Sequence, residues 1–346
     1  MTTTTVNCTI MEDLSNSLFL KFSLSINLFI CLCGYPVYLW ATWKLWSAKN
    51  SQLLHINFKI VLQLHLFGFL LHCTGRIALH AMDLINYTTI LNPCDMIPNI
   101  YRCFILRFMY NSGLWLTNST AVSLILERWL ATKRSVTYEE DSVLIGAFVA
   151  MVQFIVAAFP LGFLYSQTKF EGVTMYYCVT AATSAPYSAQ IGAATSIMFQ
   201  VAALCSFRHL LRVNQVRVAD AYENQQHTLQ KHRELDNNAS LSNRYQLEQN
   251  ISSITCLKTF AKMSFTYIVF QNCCYITLMQ FAAQLQKYQY YAIVELNGSW
   301  PLYGIFSILI LARTMHKIRE KIEQELKGHL NLKKQAHFDF FKKQIA

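Results

Sequence analysis

A chain of 346 residues in which 53% are hydrophobic and only 14% charged lies well below the roughly one-quarter charged content of soluble domains. Its formal charge of +10 could suggest a nucleic-acid partner, but the basic residues sit in the connections between apolar runs, which is a topology signal. Eleven cysteines do not make a small disulfide framework, because Cys31, Cys33, Cys73, Cys205, Cys256, Cys273 and Cys274 lie in or beside apolar runs and read as buried small hydrophobes.

Residues 1–21 are polar, lack a basic leader region and read as an outer terminus, with the first apolar run acting as its own insertion signal. That run, 22–43, is span one, and Pro36 kinks rather than abolishes it. Span two, 56–80, is the most polar, and 81–101 is a loop holding Cys94. Span three, 103–127, carries no charge between Phe108 and Leu126. It begins at Cys103 and leaves the membrane at Glu127-Arg128-Trp129. Cys103 and Arg128 are 25 positions apart, hence roughly 37 Å along a helix, close to one membrane thickness.

Span four is 142–165, with Pro160 near its end. Residues 172–207 are uncharged but too long for one span. The part around Cys178 is therefore a loop folded onto the bundle, and span five, 186–207, opens on Pro186, a residue suited to a first helical turn. A polar connection, 208–262, with eight Lys or Arg precedes span six, 263–286. Span seven, 290–312, contains one acid, Glu295. In the tail, 313–346, Met315, Ile318, Ile322, Leu326 and Leu330 share a helical face beside Arg313, Lys317 and Lys321, the pattern of an amphipathic helix on the inner leaflet. The fold expected is an all-α membrane protein, a single bundle of seven transmembrane helices.

With seven spans the termini lie on opposite sides. The connections after spans one, three and five, with the tail, hold 22 of the 29 Lys and Arg, so the N-terminus is expected outside and the C-terminus in the cytoplasm. Six N-x-[ST] sequons are present; those at Asn7 and Asn86 fall at accessible outer positions and are the expected glycosylation sites.

Glu127-Arg128-Trp129 faces the basic connections. An acid–base pair at a helix exit is often a snorkelling anchor, and it is also a switch candidate that opens toward a partner helix. Cys103 and Cys178 are on the outer side, where disulfides persist, and a bridge between them would pin the loop over the bundle mouth. Cys94 is a rival partner for either, and Cys8 with Cys94 is an alternative second bridge.

His65, His72, Arg76 and His80 share one face of span two, which reads as interhelical hydrogen bonding rather than a metal site. Glu295 is the sole acid deep in a span; it either meets a ligand amine or pairs with Arg76 or Arg107. Tyr110, Asn111, Trp115 and Asn118 are pocket candidates that helix packing would explain equally well. Neither a metal nor a cofactor is expected, and no enzymatic constellation stands out.

Three stretches carry a family resemblance: Cys94-Asp95 through Tyr101-Arg102-Cys103, then Glu127-Arg128-Trp129-Leu130-Ala131-Thr132, and Leu241-Ser242-Asn243-Arg244-Tyr245-Gln246-Leu247-Glu248-Gln249-Asn250. Together they resemble the nematode serpentine chemoreceptors of the class-alpha superfamily, nearest the alpha-beta class, over nearly the whole chain. The resemblance implies a G-protein-coupled receptor of the plasma membrane of sensory neurons, tuned to a small environmental chemical and acting on a heterotrimeric G protein, with receptor pairing left open. It implies that Glu127-Arg128-Trp129 occupies the place of the D/E-R-Y motif of rhodopsin-like receptors, and that Cys103 bridges to Cys178. Two departures stand out: span six has no proline, and span seven reads Asn297-Gly298-Ser299-Trp300-Pro301-Leu302-Tyr303 instead of N-P-x-x-Y. The rival class is a ligand-gated seven-helix channel, against which the basic-residue bias speaks. A transporter would show matched broken helices in two halves, and no such repeat is visible.

Overall fold

The computed structural model describes residues 8–47, 55–134, 143–166, 168, 170, 174–178, 186–231, 237–318, 320 and 324. Among these residues there is no strand. The helices are α1 (Cys8–Asn16), α2 (Leu18–Trp46), α3 (Ile56–Thr89), α4 (Ile100–Lys133), α5 (Val143–Tyr165), α6 (Pro186–Lys231), α7 (Asn237–Phe281), α8 (Lys287–Asn297) and α9 (300–318), with a 3-10 turn at Pro93–Met96. Five stretches are long and apolar enough to cross a membrane: Leu18–Trp46, Ile56–Thr89, Val143–Tyr165, Ser188–Asp220 and Lys287–Ile318.

Spans three and six, within α4 and α7, are missing from those five, and for α4 the reason is its position. It packs against α3, α5, α6 and α7. Thr117, Asn118, Ser119, Thr120 and Ser123 are all buried along it. A helix surrounded by other helices has little need of a lipid-facing apolar surface, so its composition can be polar. The peripheral helix α5 shows the converse: Leu144 and Phe159 are 77% and 80% exposed, as lipid-facing side chains are.

Close contact between α3 and α4 rests on small residues. A Cβ on Gly113 would stand 2.4 Å from the Gly68 carbonyl oxygen and 2.5 Å from the His72 amide nitrogen, so only glycine permits this approach. Capping side chains begin the helices: Ser17 accepts from the Leu20 amide at 3.2 Å, and Asn99 from the Tyr101 amide at 2.8 Å.

Several helices overrun the expected spans. Span two is extended to Thr89, span three to Lys133, and span five continues as one helix to Lys231. The apolar run limits what crosses lipid, whereas the hydrogen-bond ladder of a helix continues through polar residues without interruption. The N-terminal segment holds a helix that no apolar run signalled, α1, whose Met11 and Leu14 pack with Leu20, Leu24 and Ala292. Of the tail, 313–318 continues α9, and the apolar face from Ile322 onward lies outside the described residues, as does Asn7.

Span seven is broken. Pro301 has no amide to donate, and the chain parts into α8 and α9 at Gly298-Ser299. Unpaired carbonyls inside a bilayer must find donors. At the break Arg76 donates to the Gly298 carbonyl, which also takes the Trp300 amide at 2.7 Å, and, at 3.3 Å, to the Glu295 carbonyl, which also takes Asn27. A Cβ on Gly298 would meet the Arg76 guanidinium at 2.8 Å, so the glycine makes room for it.

Candidate functional site

Both disulfides lie at one end of the bundle. Cys8 of α1 is bonded to Cys94 of the 3-10 turn, and Cys103 at the start of α4 to Cys178. The second bond draws residues 174–178 onto the bundle, where Met175 and Tyr177 are buried. Tyr177 stacks on Tyr291 with ring centroids 4.7 Å apart and donates to Glu295 Oε1 at 2.9 Å.

Glu295 is the centre of a buried charge cluster. Arg76 Nη2 donates to its Oε2 at 2.7 Å and Arg107 Nη2 to its Oε1 at 2.6 Å, while His80 Nε2 stands 3.4 Å from Oε2. Both guanidiniums also face the Tyr110 ring, at 5.4 and 5.2 Å from its centroid. Asn27 joins from α2, donating to the Glu295 carbonyl at 2.8 Å and accepting from Arg76 at 3.2 Å. Ion pairs held this far from water need close bonding to offset desolvation, and here both carboxylate oxygens of Glu295 are taken, whereas Arg76 Nε and Arg107 Nε have no partner. The cluster ties α3, α4 and the 174–178 segment to the Glu295 carboxylate of α8, and α2 to its backbone carbonyl.

Beside this cluster is a cavity of about 150 Å³. Tyr110, Asn111 and Trp115 of α4 line it, together with residues of α5, α6, α7 and α8 and Trp300 of α9. Glu295, expected among the pocket residues, is not at its wall: the two guanidiniums and Tyr177 hold it behind Arg107, which is. Asn118 also lines the cavity, as does Ser196 of α6. Neither Asn118 Oδ1 nor Ser196 Oγ has a hydrogen-bond partner.

At the other end of α4, Glu127 and Arg128 are both buried, and the Arg128 guanidinium donates through Nε and Nη2 to the two carboxylate oxygens of Glu127. Successive helix positions do not normally face each other. Here the Arg128 guanidinium lies 5.1 Å from the Phe58 ring centroid, so α3 helps to seat it. Trp129 is 41% exposed with Lys133 over its ring at 4.6 Å, turned outward, as an interfacial tryptophan is.

One turn on, Thr132 links α4 to α6. It donates to the Arg128 carbonyl at 2.8 Å, Asn214 Nδ2 donates to its hydroxyl at 2.9 Å, and Arg217 Nη1 donates to its carbonyl.

A model of the serpentine type 7TM GPCR receptor class ab chemoreceptor family matches residues 5–346. The chain belongs to this family. It is therefore a seven-transmembrane, multi-pass membrane protein, in a family of chemoreceptors rather than enzymes. Serpentine receptor class alpha/beta-14 of Caenorhabditis elegans is 27% identical over 246 residues, 71% of this chain. The chain spans 60% of that relative's length.

The histidines of span two bond to or face neighbouring helices. His65 Nδ1 pairs with Thr120 Oγ1 at 3.0 Å and His72 Nδ1 donates to the Tyr110 carbonyl at 3.1 Å, while His80 faces Glu295. Among the described residues no group of three or more His, Cys, Asp or Glu could hold a metal ion. Sequence reading passed over Asn214, Arg217 and Ser196 and gave Thr132 no role beyond its place in a family stretch. Each is an ordinary polar residue, and the crossing of α4 with α6 is what links Thr132 to Asn214 and Arg217.

Proposed function

We propose that this protein is a chemosensory receptor that binds a small molecule in the cavity beside Arg107 and activates a heterotrimeric G protein at the Glu127–Arg128 end. The observation that carries the reading is the buried, two-pronged Glu127–Arg128 pair, adjoining a polar link between α4 and α6 at Thr132. Such a pair is a closed latch that a partner helix could replace. The cavity lies between the same helices farther along: Trp115 and Arg128 are 13 positions apart on α4, about 20 Å. A ligand that binds better when α6 and α7 shift would draw the population toward an opened inner end by its differential affinity.

In this reading the end with the two disulfides faces outward, where oxidised thiols persist, and the basic connections face the cytoplasm. The expected location is the plasma membrane of a sensory neuron. Glu127, Arg128 and the inner ends of α6 and α7 form the coupling surface, and Trp129 anchors α4 at the lipid boundary.

The test is GTP-analogue binding to a panel of Gα subunits in membranes carrying wild-type or Arg128→Ala protein, with and without chemical extracts. Stimulated exchange that disappears in Arg128→Ala, at unchanged surface level, is the expected result. Equal stimulation of both proteins would remove Arg128 from the coupling role, and extract-evoked current without exchange would replace the receptor by a channel.

A further inference from the structure

Two guanidiniums share one carboxylate beside the cavity, and the excess charge has a direction. Arg76, Arg107 and Glu295 sit within one hydrogen-bonded group, and the neighbouring acid, Asp83, is matched by Arg102 at 3.8 Å. The described acids and fixed cations of this layer are thus Asp83 and Glu295 against Arg76, Arg102 and Arg107, an excess of one positive charge.

Of the three arginines, only Arg107 lines the cavity. It is 6% exposed, one of its nitrogens is bonded to Glu295, and its Nε has no partner. Asn118 and Ser196, 3% and 4% exposed, bring two more unpartnered polar atoms to the same cavity. Buried polar atoms are rarely left unpaired, and three around one small cavity mark a site whose occupant supplies the bonds.

We infer that the ligand is a small organic anion, a carboxylate of about the size of an aromatic ring, whose acid group binds Arg107 and whose body lies among Tyr110, Trp115 and Trp300 beside Asn118 and Ser196. This rests on the receptor reading above and names the chemical class it recognises. A cavity of about 150 Å³ is the volume that holds a single benzene ring, which fits a one-ring ligand. The charge sign excludes an amine: Glu295, the acid that would receive one, is already held by two guanidiniums and a tyrosine hydroxyl. A carboxylate at Arg107 instead brings the local charge to zero and gives the Nε proton an acceptor, a charge-assisted bond strengthened by exclusion of water. Asn118 Oδ1 accepts only, so hydroxy- or amino-substituted acids gain a further bond there.

The test uses full-length protein in lipid nanodiscs and three probes with one ring and different charge: benzoate, benzylamine and toluene. Binding is read as thermal stabilisation and by ligand-observed NMR, with no G protein present. Benzoate is expected to bind, with the neutral and cationic probes at least about tenfold weaker, the ratio one charge-assisted bond supplies. Arg107→Gln should abolish the preference for benzoate. Because that change disturbs the ion cluster, Ser196→Leu is the companion: it fills the cavity from α6 without touching a charge, and should remove benzoate binding while the protein's own melting temperature is kept.

Stronger binding of benzylamine or toluene would overturn the anion class and leave the receptor reading standing. Absence of binding by all three would overturn this cavity as the site, again independently of the Arg128 exchange assay. Benzoate binding that survives Ser196→Leu would place the carboxylate elsewhere and overturn the assignment.

Discussion

At the residue scale, Glu295 is the position on which most other groups depend. Its two carboxylate oxygens take Arg76, Arg107 and Tyr177, and its backbone carbonyl takes Asn27 and Arg76. Glu295→Gln keeps the shape but leaves two buried guanidiniums without a counter-charge. A broken buried ion pair costs about 3–5 kcal/mol, so a marked fall in melting temperature and in surface level is expected for this single change. A melting temperature within experimental error of wild type in nanodiscs would show that the cluster is not what holds the disulfide end of the bundle together. The importance of Glu295 was legible in the chain, since a lone acid inside an apolar run needs partners and Arg76 and Arg107 were within reach. Its removal from the pocket wall was not legible. That outcome depends on both guanidiniums and Tyr177 arriving together, and Tyr177 is brought there by a disulfide across 75 residues of chain.

At the element scale, α3 and α4 pack more intimately than any apolar pattern announces. Gly68, Gly75 and Gly113 each leave backbone or side-chain atoms of the facing helix within 3.0 Å of where a Cβ would be. For Gly113→Ala the obstruction is the backbone of Gly68 and His72, which cannot rotate away. Overpacking of this kind costs about 1–3 kcal/mol, and the helices must also separate, weakening the His72–Tyr110 bond. Reduced thermal stability is the expected outcome. Retention of full stability by Gly113→Ala would mean that the crossing has slack. Hydrophobic length is a one-dimensional property, and five of the expected spans fall in helices long and apolar enough to cross a membrane, but helix ends were not readable: α6 and α7 run on through polar sequence. The split of span seven was foreshadowed by Gly298 and Pro301, whereas the arginine that satisfies it comes from 222 positions away.

At the scale of the whole molecule, the two ends differ in chemistry. One carries both disulfides and the arginine-rich cluster; the other carries the Glu127–Arg128 pair, the Thr132 link to α6 and most of the basic connections. If the disulfide end is outside, Asn86, half-buried in the last turns of α3, lies on the side that glycosyltransferases reach. Asn86→Gln should then remove a glycan seen as a shift in gel mobility on enzymatic deglycosylation of the wild type, in protein otherwise unmodified at Asn7. An unshifted wild type would withdraw this support for the orientation. The cavity beside Arg107 was only partly readable, since its walls come from six helices whose mutual approach no local pattern encodes.

The central claim, that Arg128 is a G-protein switch restrained by Glu127, is tested most directly without any ligand. Basal GTP-analogue binding to Gα would be measured for wild type, Glu127→Ala, and Glu127→Ala combined with Arg128→Ala, at matched surface levels. The account predicts raised basal exchange in the single variant and its loss in the double one. An unaltered baseline on removal of Glu127, or a rise that persists without Arg128, would contradict it.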